Sequence, residues 1–278
     1  IQKSGRLNED SIRMLKECGI EFDNGVNKLK ATAFNFPIEV LFLRDDDIPE
    51  YVAQGVADIG IVGENVLVEA DVEVKTIERL GYGKCRLSIA IPKGKKYGGV
   101  KSLEGKRIAT TYKNVLQKFL RKEKVTAEIH EISGSVEIAP GIGLADAICD
   151  IVSSGSTLFM NGLQEVETVM QSEAVLIGGK NLTASTMKIV ERLLFRIRAS
   201  RKAKHNKYVL LNAPNNKLEK ICKLIPGMKS PTVLPLVEPG WSSVHSVIDE
   251  DKFWDIIESL KEAGAQGILV VPIEKMVI

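Results

Sequence analysis

Two aspartates and a hydroxyl-rich loop stand close together in the segment ADAICDIVSSGSTL, residues 145–158. Asp146 and Asp150 precede the loop, which reads Ser, Ser, Gly, Ser and Thr from Ser153 to Thr157. Such a loop can turn backbone N–H groups and hydroxyls toward one anion, for example a phosphate monoester. A plain turn explains the composition of the loop equally well. Carboxylates are unfavourable neighbours of a phosphate unless an uncharged group lies between them.

A phosphorylated ribose would reconcile the acids with the loop. Its ring hydroxyls can donate to carboxylates while its 5′-phosphate lies in the loop. Asp150 lies three residues before the loop starts and suits this task, and Glu137, at the start of a predicted helix, can share the hydroxyls. A helix that begins near Thr157 would add positive charge at the phosphate. Asp146 is better explained as a strand-end or capping residue.

Charged residues also stand where several other predicted strands begin or end. Lys3 and Arg6 flank a Ser-Gly pair, and two cations beside a flexible glycine suit a diphosphate. Three aspartates follow Arg44; Asp47 is the expected helix cap, which leaves two for a hydroxyl, an amine or Mg²⁺-bound water. The full set is Lys3, Gly5, Arg6, Arg44, Asp45, Asp46, Glu64 and Arg86. Each is also compatible with a charged surface, and only their shared position at strand ends favours a site.

The composition is that of an ordinary globular protein. The chain has 278 residues, 44% hydrophobic and 27% charged, with a net charge of +2. Its length predicts two or three domains of ~100–150 residues each, and its charge gives no general attraction to nucleic acid or membranes. Four cysteines without CxxC spacing predict free thiols in a reducing, cytoplasmic compartment. No apolar run is long enough to span a membrane and no signal peptide is recognisable, although the start at Ile1 without Met suggests that N-terminal residues are missing.

Short β-rich runs alternate with amphipathic helical runs over the first part of the chain, which predicts an α/β fold with a largely parallel sheet. GVADIGIV (55–62) resembles GLADAICDIV (143–152), which indicates two similar lobes and a strand over 145–152. On a strand, Asp146 and Asp150 share one face. Asp150 then lies near the carboxyl end, where open α/β sheets bind ligands.

The pattern changes after a basic segment. Residues 192–207 carry seven Lys or Arg and no acid, which permits nucleic-acid contact but is also typical of a helix end followed by a solvated linker, the interpretation we favour. The elements that follow have the order βαββαβ, a ferredoxin-like module without a catalytic cluster of its own. By analogy, such a module regulates an enzyme or assembles its subunits.

The segment EIAPGIGLADAICDIVSSGSTL (137–158) resembles the signature of the ATP phosphoribosyltransferase family. The residues that match it are Glu137, Gly143, Ala145, Ile148, Asp150, Ser154, Gly155, Thr157 and Leu158. QKSGRL, RDDDIP, DIGIVGENVL and CRLS are similar to family segments in the same order, as are PTVLPL and the ending ILVVPIEKM. The resemblance therefore extends over essentially the whole chain.

The resemblance implies a fold and a reaction. The fold is α/β, with a two-lobed, periplasmic-binding-protein-like catalytic part and a C-terminal ferredoxin-like regulatory domain that marks the long form. We expect the lobes at 1–90 plus 176–199 and at 91–175, and the regulatory domain at 200–278. The reaction joins N1 of the ATP adenine to C1′ of 5-phosphoribosyl 1-diphosphate (PRPP) and releases diphosphate, with Mg²⁺. Histidine is the expected feedback inhibitor of a homo-oligomer that shifts between dimer and hexamer.

The resemblance also assigns roles to residues of this chain, none of them a covalent nucleophile. The residues expected to bind PRPP are Glu137, Asp150, Ser153, Ser154, Gly155, Ser156 and Thr157. Lys3, Arg6, Arg44 and Arg86 would neutralise phosphates beside Gly5, and Asp45, Asp46 and Glu64 would lie near adenine or Mg²⁺-bound water. Histidine is expected at Pro231, Thr232, Leu234, His245 and Ser246.

Two other functions share parts of this pattern. A two-lobed solute receptor or transcriptional effector domain would lack a phosphoribose loop, and no DNA-binding helix-turn-helix is recognisable. Another two-lobed enzyme with a ferredoxin-like tail, such as prephenate dehydratase, would show a Thr-Arg-Phe run that this sequence lacks. Turnover of ATP with PRPP distinguishes all three.

Overall fold

The computed structural model describes residues 1–23 and 28–277. These form two compact units, the first made of residues 1–16 and 20–189 and the second of residues 17–19 and 190–278. No helix of the described residues is long and apolar enough to cross a membrane.

The first unit begins and ends with the elements of its first lobe. In chain order these are α1 (Arg6–Glu17), β1 (Lys30–Thr32), β2 (Glu39–Leu41), α2 (Ile48–Ala53), β3 (Ile59–Gly63), α3 (Glu64–Ala70) and β4 (Lys75–Arg79). The chain then builds a second lobe from β5 (Cys85–Pro92), β6 (Arg107–Thr110), α4 (Lys113–Glu123), β7 (Glu128–Glu131), β8 (Ala147–Val152), α5 (Ser156–Met160) and β9 (Leu163–Ser172). It returns to the first lobe with β10 (Ala174–Gly178) and continues into the long helix α6 (Ala184–Lys204).

Each lobe has its own sheet. The first has the order β3-β10-β4, beside the separate pair β1-β2, and the second has the order β7-β6-β8-β5-β9. Because the chain leaves the first sheet after β4 and comes back with β10, two segments connect the lobes. This is the two-lobed, periplasmic-binding-protein-like architecture that the family resemblance implied.

The expectation of a largely parallel sheet is wrong. Among residues 1–23 and 28–277, parallel pairing is confined to β6 with β7, β6 with β8 and a single bridge between Gln2 and Leu43. The other pairs in the two lobes are antiparallel, including β10 with both β3 and β4 and β5 with both β8 and β9. β5 and β10 are antiparallel to their neighbours because the chain enters each of them from the other lobe.

The predicted lobe limits stay a prediction. Most of β5 falls within the range expected for the first lobe, yet β5 pairs with β8 and β9 in the sheet of the second lobe. The strand expected over 145–152 is confirmed as β8, and its counterpart over 57–63 as β3. Asp47 does not act as a side-chain cap: it closes a 3₁₀ turn over Asp45–Asp47 and accepts no capping hydrogen bond.

Apolar packing fixes the second lobe around β5, β6 and β8. Leu87, Ile108 and Leu116 are fully buried on one side of the sheet, against α4. Ala109, Ile148 and Leu158 belong to the core on the other side, where α5 packs. The central strands β5, β6 and β8 are mostly buried, so the polar residues at their ends are held at fixed positions.

The second unit contains the ferredoxin-like module predicted from the sequence. Its elements are β11 (Asn206–Pro214), α7 (Leu218–Leu224), β12 (Thr232–Pro235), β13 (Trp241–Asp249), α8 (Glu250–Glu262) and β14 (Gln266–Pro272). All pairs in the sheet, ordered β12-β13-β11-β14, are antiparallel. Both helices pack on one side of the sheet over a core that includes Leu211, Ile221, Val244 and Leu260.

Candidate active site

Most of the candidate residues of the second lobe lie at one edge of its sheet, the edge that is formed by strand ends. β6 and β8 are parallel and end at this edge, where Tyr112 and Ser153 follow them. β5 is antiparallel to β8 and begins at the same edge, because Arg86 pairs with Val152. The prediction that Asp150 lies near the carboxyl end of its strand is therefore confirmed.

The loop after β8 presents its hydroxyls to solvent. Ser153, Ser154, Ser156 and Thr157 are all exposed. Gly155 has a φ of +81°, which residues with a side chain rarely adopt, and α5 starts directly after it. The hydroxyls of Ser154 and Ser156 lie 3.0 Å apart, so they converge on one point. This geometry suits a small anion, although α5 has only five residues and contributes little helix dipole.

Asp150 is a partly buried carboxylate. Oδ1 accepts a hydrogen bond of 2.8 Å from the backbone N–H of Ile151. Burial raises the pKa of Asp150, the Ile151 N–H opposes this rise, and the negative charge of Glu137 adds to it. Glu137, half-buried in a 3₁₀ turn over Val136–Ile138, therefore lies close enough to repel it. The two carboxylates form an acceptor pair for donors such as hydroxyl groups.

Asp146 has a structural task instead. It lies one residue before β8 begins, at the opposite end of the strand from the loop. Its carboxylate accepts hydrogen bonds from the backbone N–H of Arg107 at 3.0 Å and from the Arg107 guanidinium at 3.2 and 3.3 Å. These bonds lower the pKa of Asp146. The interpretation of Asp146 as a strand-end residue agrees with this geometry.

Arg86 is already engaged by a carboxylate. Its guanidinium donates to both oxygens of Glu165 at 2.5 Å and to the carbonyl oxygen of Ser153 at 3.4 Å. The buried hydroxyl of Ser88 donates to Glu165 as well, at 2.8 Å. Glu165 thus holds Arg86 against the first residue of the loop, a role that the sequence did not reveal.

The first lobe brings two of the predicted cationic segments together. Gln2 and Leu43 form a parallel bridge, and the Lys3 backbone N–H donates to the carbonyl oxygen of Leu43 at 2.7 Å. Lys3 and Arg44 consequently follow the two bridged residues, Gly5 and Arg6 lie where α1 begins, and all four are exposed. Within residues 1–23 and 28–277, the side chains of Lys3, Arg6 and Arg44 form no ion pair. They are available to phosphates.

Three aspartates follow Arg44, and a further acid, Glu64, lies at the start of α3. Burial raises the pKa of Asp46, the charges of Asp45 and Asp47 raise it further, and Arg44 opposes them. Glu64 begins α3, and its carboxylate pairs with Arg79, which also binds Glu173 at 3.0 Å. The second carboxylate oxygen of Glu64 is buried and has no hydrogen-bond partner in the described part of the chain. Glu64 is therefore only partly satisfied by its surroundings.

Tyr112 and Asn65 are cleft residues that sequence analysis missed. Tyr112 follows β6, and its hydroxyl oxygen accepts a hydrogen bond of 3.1 Å from Nδ2 of Asn65, which is buried at the start of α3. Because α3 belongs to the first lobe, this bond links the two lobes. The signal that could have found Tyr112 is its position, because it follows the end of β6 just as Ser153 follows the end of β8.

Cys149 is buried in β8, and burial raises the pKa of its thiol. All four cysteines are free thiols, as expected. Across residues 1–23 and 28–277, no three His, Cys, Asp or Glu side chains are grouped in a way that could hold a metal ion.

The residues predicted to bind the inhibitor histidine lie on two faces of the ferredoxin-like module. Thr232 and Leu234 on β12 pair with His245 and Ser243 on β13, so Thr232, Leu234 and His245 share one face. The ring of His245 lies between the hydroxyls of Tyr208 and Ser243, each at 2.9 Å. Ser246 points to the opposite face, where it is buried and donates to the carbonyl oxygen of Ile225 at 2.8 Å. Pro231 lies just outside β12.

Comparison with known proteins assigns the chain to a family. A family model described as ATP phosphoribosyltransferase matches residues 44–199, and one described as the C-terminal domain of HisG matches residues 203–275. An ATP phosphoribosyltransferase of Cytophaga hutchinsonii is 60% identical over 277 residues, which cover 100% of this chain and 97% of that protein. The chain belongs to the ATP phosphoribosyltransferase family.

Further ATP phosphoribosyltransferases support this assignment. That of Bacteroides thetaiotaomicron is 56% identical over 278 residues, covering 100% of this chain and 98% of that protein. A chain of the ATP phosphoribosyl transferase (HisG:HisZ) complex from Thermotoga maritima superposes with a TM-score of 0.59 at 29% identity, covering 70% of this chain and 96% of that one. The predicted family and fold are confirmed.

Membership defines the reaction. An ATP phosphoribosyltransferase transfers the 5-phosphoribosyl group of PRPP to N1 of ATP, which gives phosphoribosyl-ATP and diphosphate, in the first step of histidine biosynthesis. The chain carries the C-terminal domain that distinguishes the long form, which implies feedback inhibition by histidine. The predicted activity is confirmed.

Proposed function

We propose that Asp150 and the loop Ser153–Thr157 hold the phosphoribosyl group of PRPP. Asp150, assisted by Glu137, accepts hydrogen bonds from the ring hydroxyls, and the loop binds the 5′-phosphate. One observation carries this proposal. The half-buried carboxylate of Asp150 accepts from one backbone N–H, and it comes just before a loop whose exposed hydroxyls converge. A carboxylate with open acceptor positions favours donors such as hydroxyls, and the loop favours an anion.

The cations of the first lobe are proposed to bind the phosphate chains. Lys3, Arg6 and Arg44 carry no ion pair within the described part of the chain; Lys3 and Arg44 follow the bridge between Gln2 and Leu43, and Arg6 begins α1. Gly5, with a φ of +86°, lets the backbone turn between Lys3 and Arg6. These residues would neutralise the diphosphate of PRPP and the triphosphate of ATP. Arg86, in the second lobe, would also add positive charge near the phosphates, but its charge is paired with that of Glu165.

Mg²⁺ fits this site as an ion carried by the substrates. Mg²⁺ is usually held by one or two carboxylates together with substrate phosphates and several waters. Asp45 and Asp46 offer such carboxylates beside Arg44, and Glu64 has one unpartnered oxygen. When bound, Mg²⁺ neutralises the negative charge that develops on the leaving diphosphate.

The residues of this chain act by orientation and charge. The lone pair of adenine N1 forms the new bond to C1′ while the bond from C1′ to the diphosphate oxygen breaks, and the diphosphate leaves with those electrons. No protein nucleophile is required. Asp150, Glu137 and the loop hold C1′ in place, and Lys3, Arg6 and Arg44 stabilise the departing charge. The carboxylates near the ribose also favour the positive charge that develops there.

Steady-state kinetics of Asp150→Ala test this assignment. We expect the variant to lose most activity and to raise the KM for PRPP much more than that for ATP, because the ribose contact belongs to PRPP. A folded variant with near-normal KM and kcat for PRPP would remove Asp150 from the ribose site. Asp146→Ala is the matched control, since it alters an aspartate at the other end of the same strand.

We also propose how the enzyme is regulated and assembled. Histidine would bind on the face of the module that carries Thr232, Leu234 and His245, near Pro231, and a homo-oligomer would shift between dimer and hexamer. A ligand in a separate module can inhibit only if it prefers one of two states of the enzyme. The proposed compartment is the cytoplasm, where the four free thiols stay reduced.

A further inference from the structure

Hydrogen bonds hold the backbone of Tyr112 next to β8, the strand that carries Asp150. β6 and β8 pair in parallel with Thr110 opposite Cys149, the residue that precedes Asp150. The hydroxyl of Thr110 donates to the carbonyl oxygen of Cys149 at 2.7 Å and accepts from the backbone N–H of Tyr112 at 2.9 Å. One buried threonine therefore ties Tyr112 to the residue before Asp150.

The hydroxyl of Tyr112 is fixed from the other lobe. Nδ2 of Asn65 lies 3.1 Å from it. Oδ1 of Asn65 accepts from the hydroxyl of Ser172 at 2.8 Å, and that hydroxyl accepts from the Asn65 backbone N–H at 3.0 Å. Because Oδ1 is already an acceptor, the amide turns its donor to Tyr112. A Cβ on Gly63 would lie 2.5 Å from Oδ1, so only glycine leaves room for this arrangement.

The phenol consequently keeps its own proton to donate elsewhere. Asn65 supplies the hydrogen of their shared bond, so the O–H of Tyr112 is directed to another acceptor. Burial and the charges of Asp150, Asp45 and Asp46 raise the pKa of Tyr112, with the bond from Asn65 opposing them. Tyr112 is thus a neutral donor that experiences the negative charges of Asp150, Asp45 and Asp46.

We propose that Tyr112 is a further PRPP-binding residue that donates a hydrogen bond to a ribose hydroxyl bound by Asp150. A ribose hydroxyl both donates and accepts. Ionised Asp150 only accepts from it, whereas Tyr112, whose oxygen already accepts from Asn65, can donate its O–H to it. Together, Asp150 and Tyr112 satisfy both the donor and the acceptor capacity of one ribose hydroxyl, whereas a carboxylate alone satisfies only the donor. This inference rests on the proposed placement of the ribose at Asp150.

The same arrangement makes ribose recognition depend on both lobes. Thr110 positions Tyr112 from the second lobe, and Asn65 orients its hydroxyl from the first. Ser172 is the last residue of β9, directly before the chain returns to the first lobe. The donor therefore has its full geometry only with the lobes in the relative position seen in this first unit.

Tyr112→Phe tests the proposal because it removes only the hydroxyl. The KM for PRPP is expected to rise about five- to tenfold with the KM for ATP nearly unchanged, as for the loss of one neutral hydrogen bond. Tyr97→Phe is the control: its hydroxyl also meets a carboxylate of the second lobe, Glu167 at 3.1 Å, but away from the cleft. Tyr97→Phe should leave both constants unchanged.

Binding measurements separate recognition from disturbed folding. Calorimetric titration with ribose 5-phosphate should show weaker binding to Tyr112→Phe, whereas inorganic phosphate, which lacks the ring, should bind as it does to the wild type. Equal weakening of both probes, or of neither, would overturn the proposal.

A double-mutant cycle with Asp150→Asn completes the test. If both residues bind one hydroxyl, the double variant loses less PRPP affinity than the two single losses multiplied. Strictly multiplicative losses would contradict a shared hydroxyl. If Asp150→Asn alone leaves PRPP affinity intact, the placement of the ribose fails. If Asp150→Asn weakens PRPP while Tyr112→Phe does not, only the role of Tyr112 fails.

Discussion

Glu165 holds the guanidinium of Arg86 through two hydrogen bonds of 2.5 Å, from Nε to Oε1 and from Nη2 to Oε2. The ion pair lies on the sheet edge that carries the loop Ser153–Thr157, and Arg86 also contacts the carbonyl oxygen of Ser153. The pair raises the pKa of Arg86 and lowers that of Glu165 through their hydrogen bonds. Because its charge is paired with that of Glu165, Arg86 positions the start of the loop more than it neutralises a phosphate.

The first prediction is that Arg86 and Glu165 act as one unit. Arg86→Ala and Glu165→Ala should each raise the KM for PRPP, and the double variant should do little more than Arg86→Ala alone. Steady-state kinetics of the three variants provide the test. Multiplicative effects would mean that Arg86 reaches the substrate independently of Glu165. Lys113→Ala, which breaks an exposed ion pair with Glu131 in the same lobe, serves as the control.

The sequence predicted the parts of the site that are local in the chain. The strand before the loop, the glycine at its turn and the position of Asp150 all follow from short-range patterns around residues 145–158. What it could not predict depends on pairing between distant segments. Glu165 reaches Arg86 only because β9 lies beside β5, and Asn65 reaches Tyr112 only because α3 faces the end of β6. The antiparallel pairing was missed for the same reason, since alternation of helices and strands does not report that a strand enters from another lobe.

The second prediction concerns pH. Asp150 must be ionised to accept from a ribose hydroxyl, and burial together with Glu137 raises its pKa above the ordinary value of 3.8. The kcat/KM for PRPP should therefore rise with pH as Asp150 ionises, with a midpoint above 3.8. Glu137→Gln removes a neighbouring negative charge, lowers the pKa of Asp150 and should move this acid limb to lower pH.

Paired pH profiles of the wild type and Glu137→Gln check this outcome, because the titration of PRPP itself is common to both. An unshifted limb, or a shift to higher pH, would contradict the coupling. Stability should follow the same linkage with a defined sign. Since the folded state holds the Asp150 proton more tightly, the contribution of Asp150 to stability falls as pH rises from the unfolded to the folded pKa.

The third prediction separates the two aspartates of the loop segment. Asp146→Asn should leave PRPP kinetics unchanged and lower the Tm by about 1–3 °C, because it weakens a partly exposed ion pair with Arg107. The pKa of Asp146 is lowered by that pair, so its contribution is present above the unfolded pKa and is lost as pH falls through the folded one. The Tm difference between Asp146→Asn and the wild type should therefore shrink in acid. A raised KM for PRPP in this variant would place Asp146 in the site.

The fourth prediction concerns inhibition by histidine. Thr232→Ala and His245→Ala should each raise the histidine concentration needed for half-inhibition, with the uninhibited kcat unchanged, because both side chains lie on one face of the module. Ser246→Ala is the matched control on the same strand. Its side chain is buried on the opposite face, so it should affect stability without affecting inhibition. Inhibition that is unaltered in the first two variants would move the histidine site elsewhere.

The most direct test of the account is calorimetric titration of PRPP into the wild type, Asp150→Asn and Asp146→Asn, each confirmed as folded by circular dichroism. Asp150→Asn keeps the shape of the side chain but removes the charge that accepts from the ribose, so its affinity should fall roughly 10- to 100-fold, as for a hydrogen bond to a charged group. Asp146→Asn should bind as the wild type does. Equal PRPP affinity for all three proteins would contradict the placement of the phosphoribosyl group at Asp150.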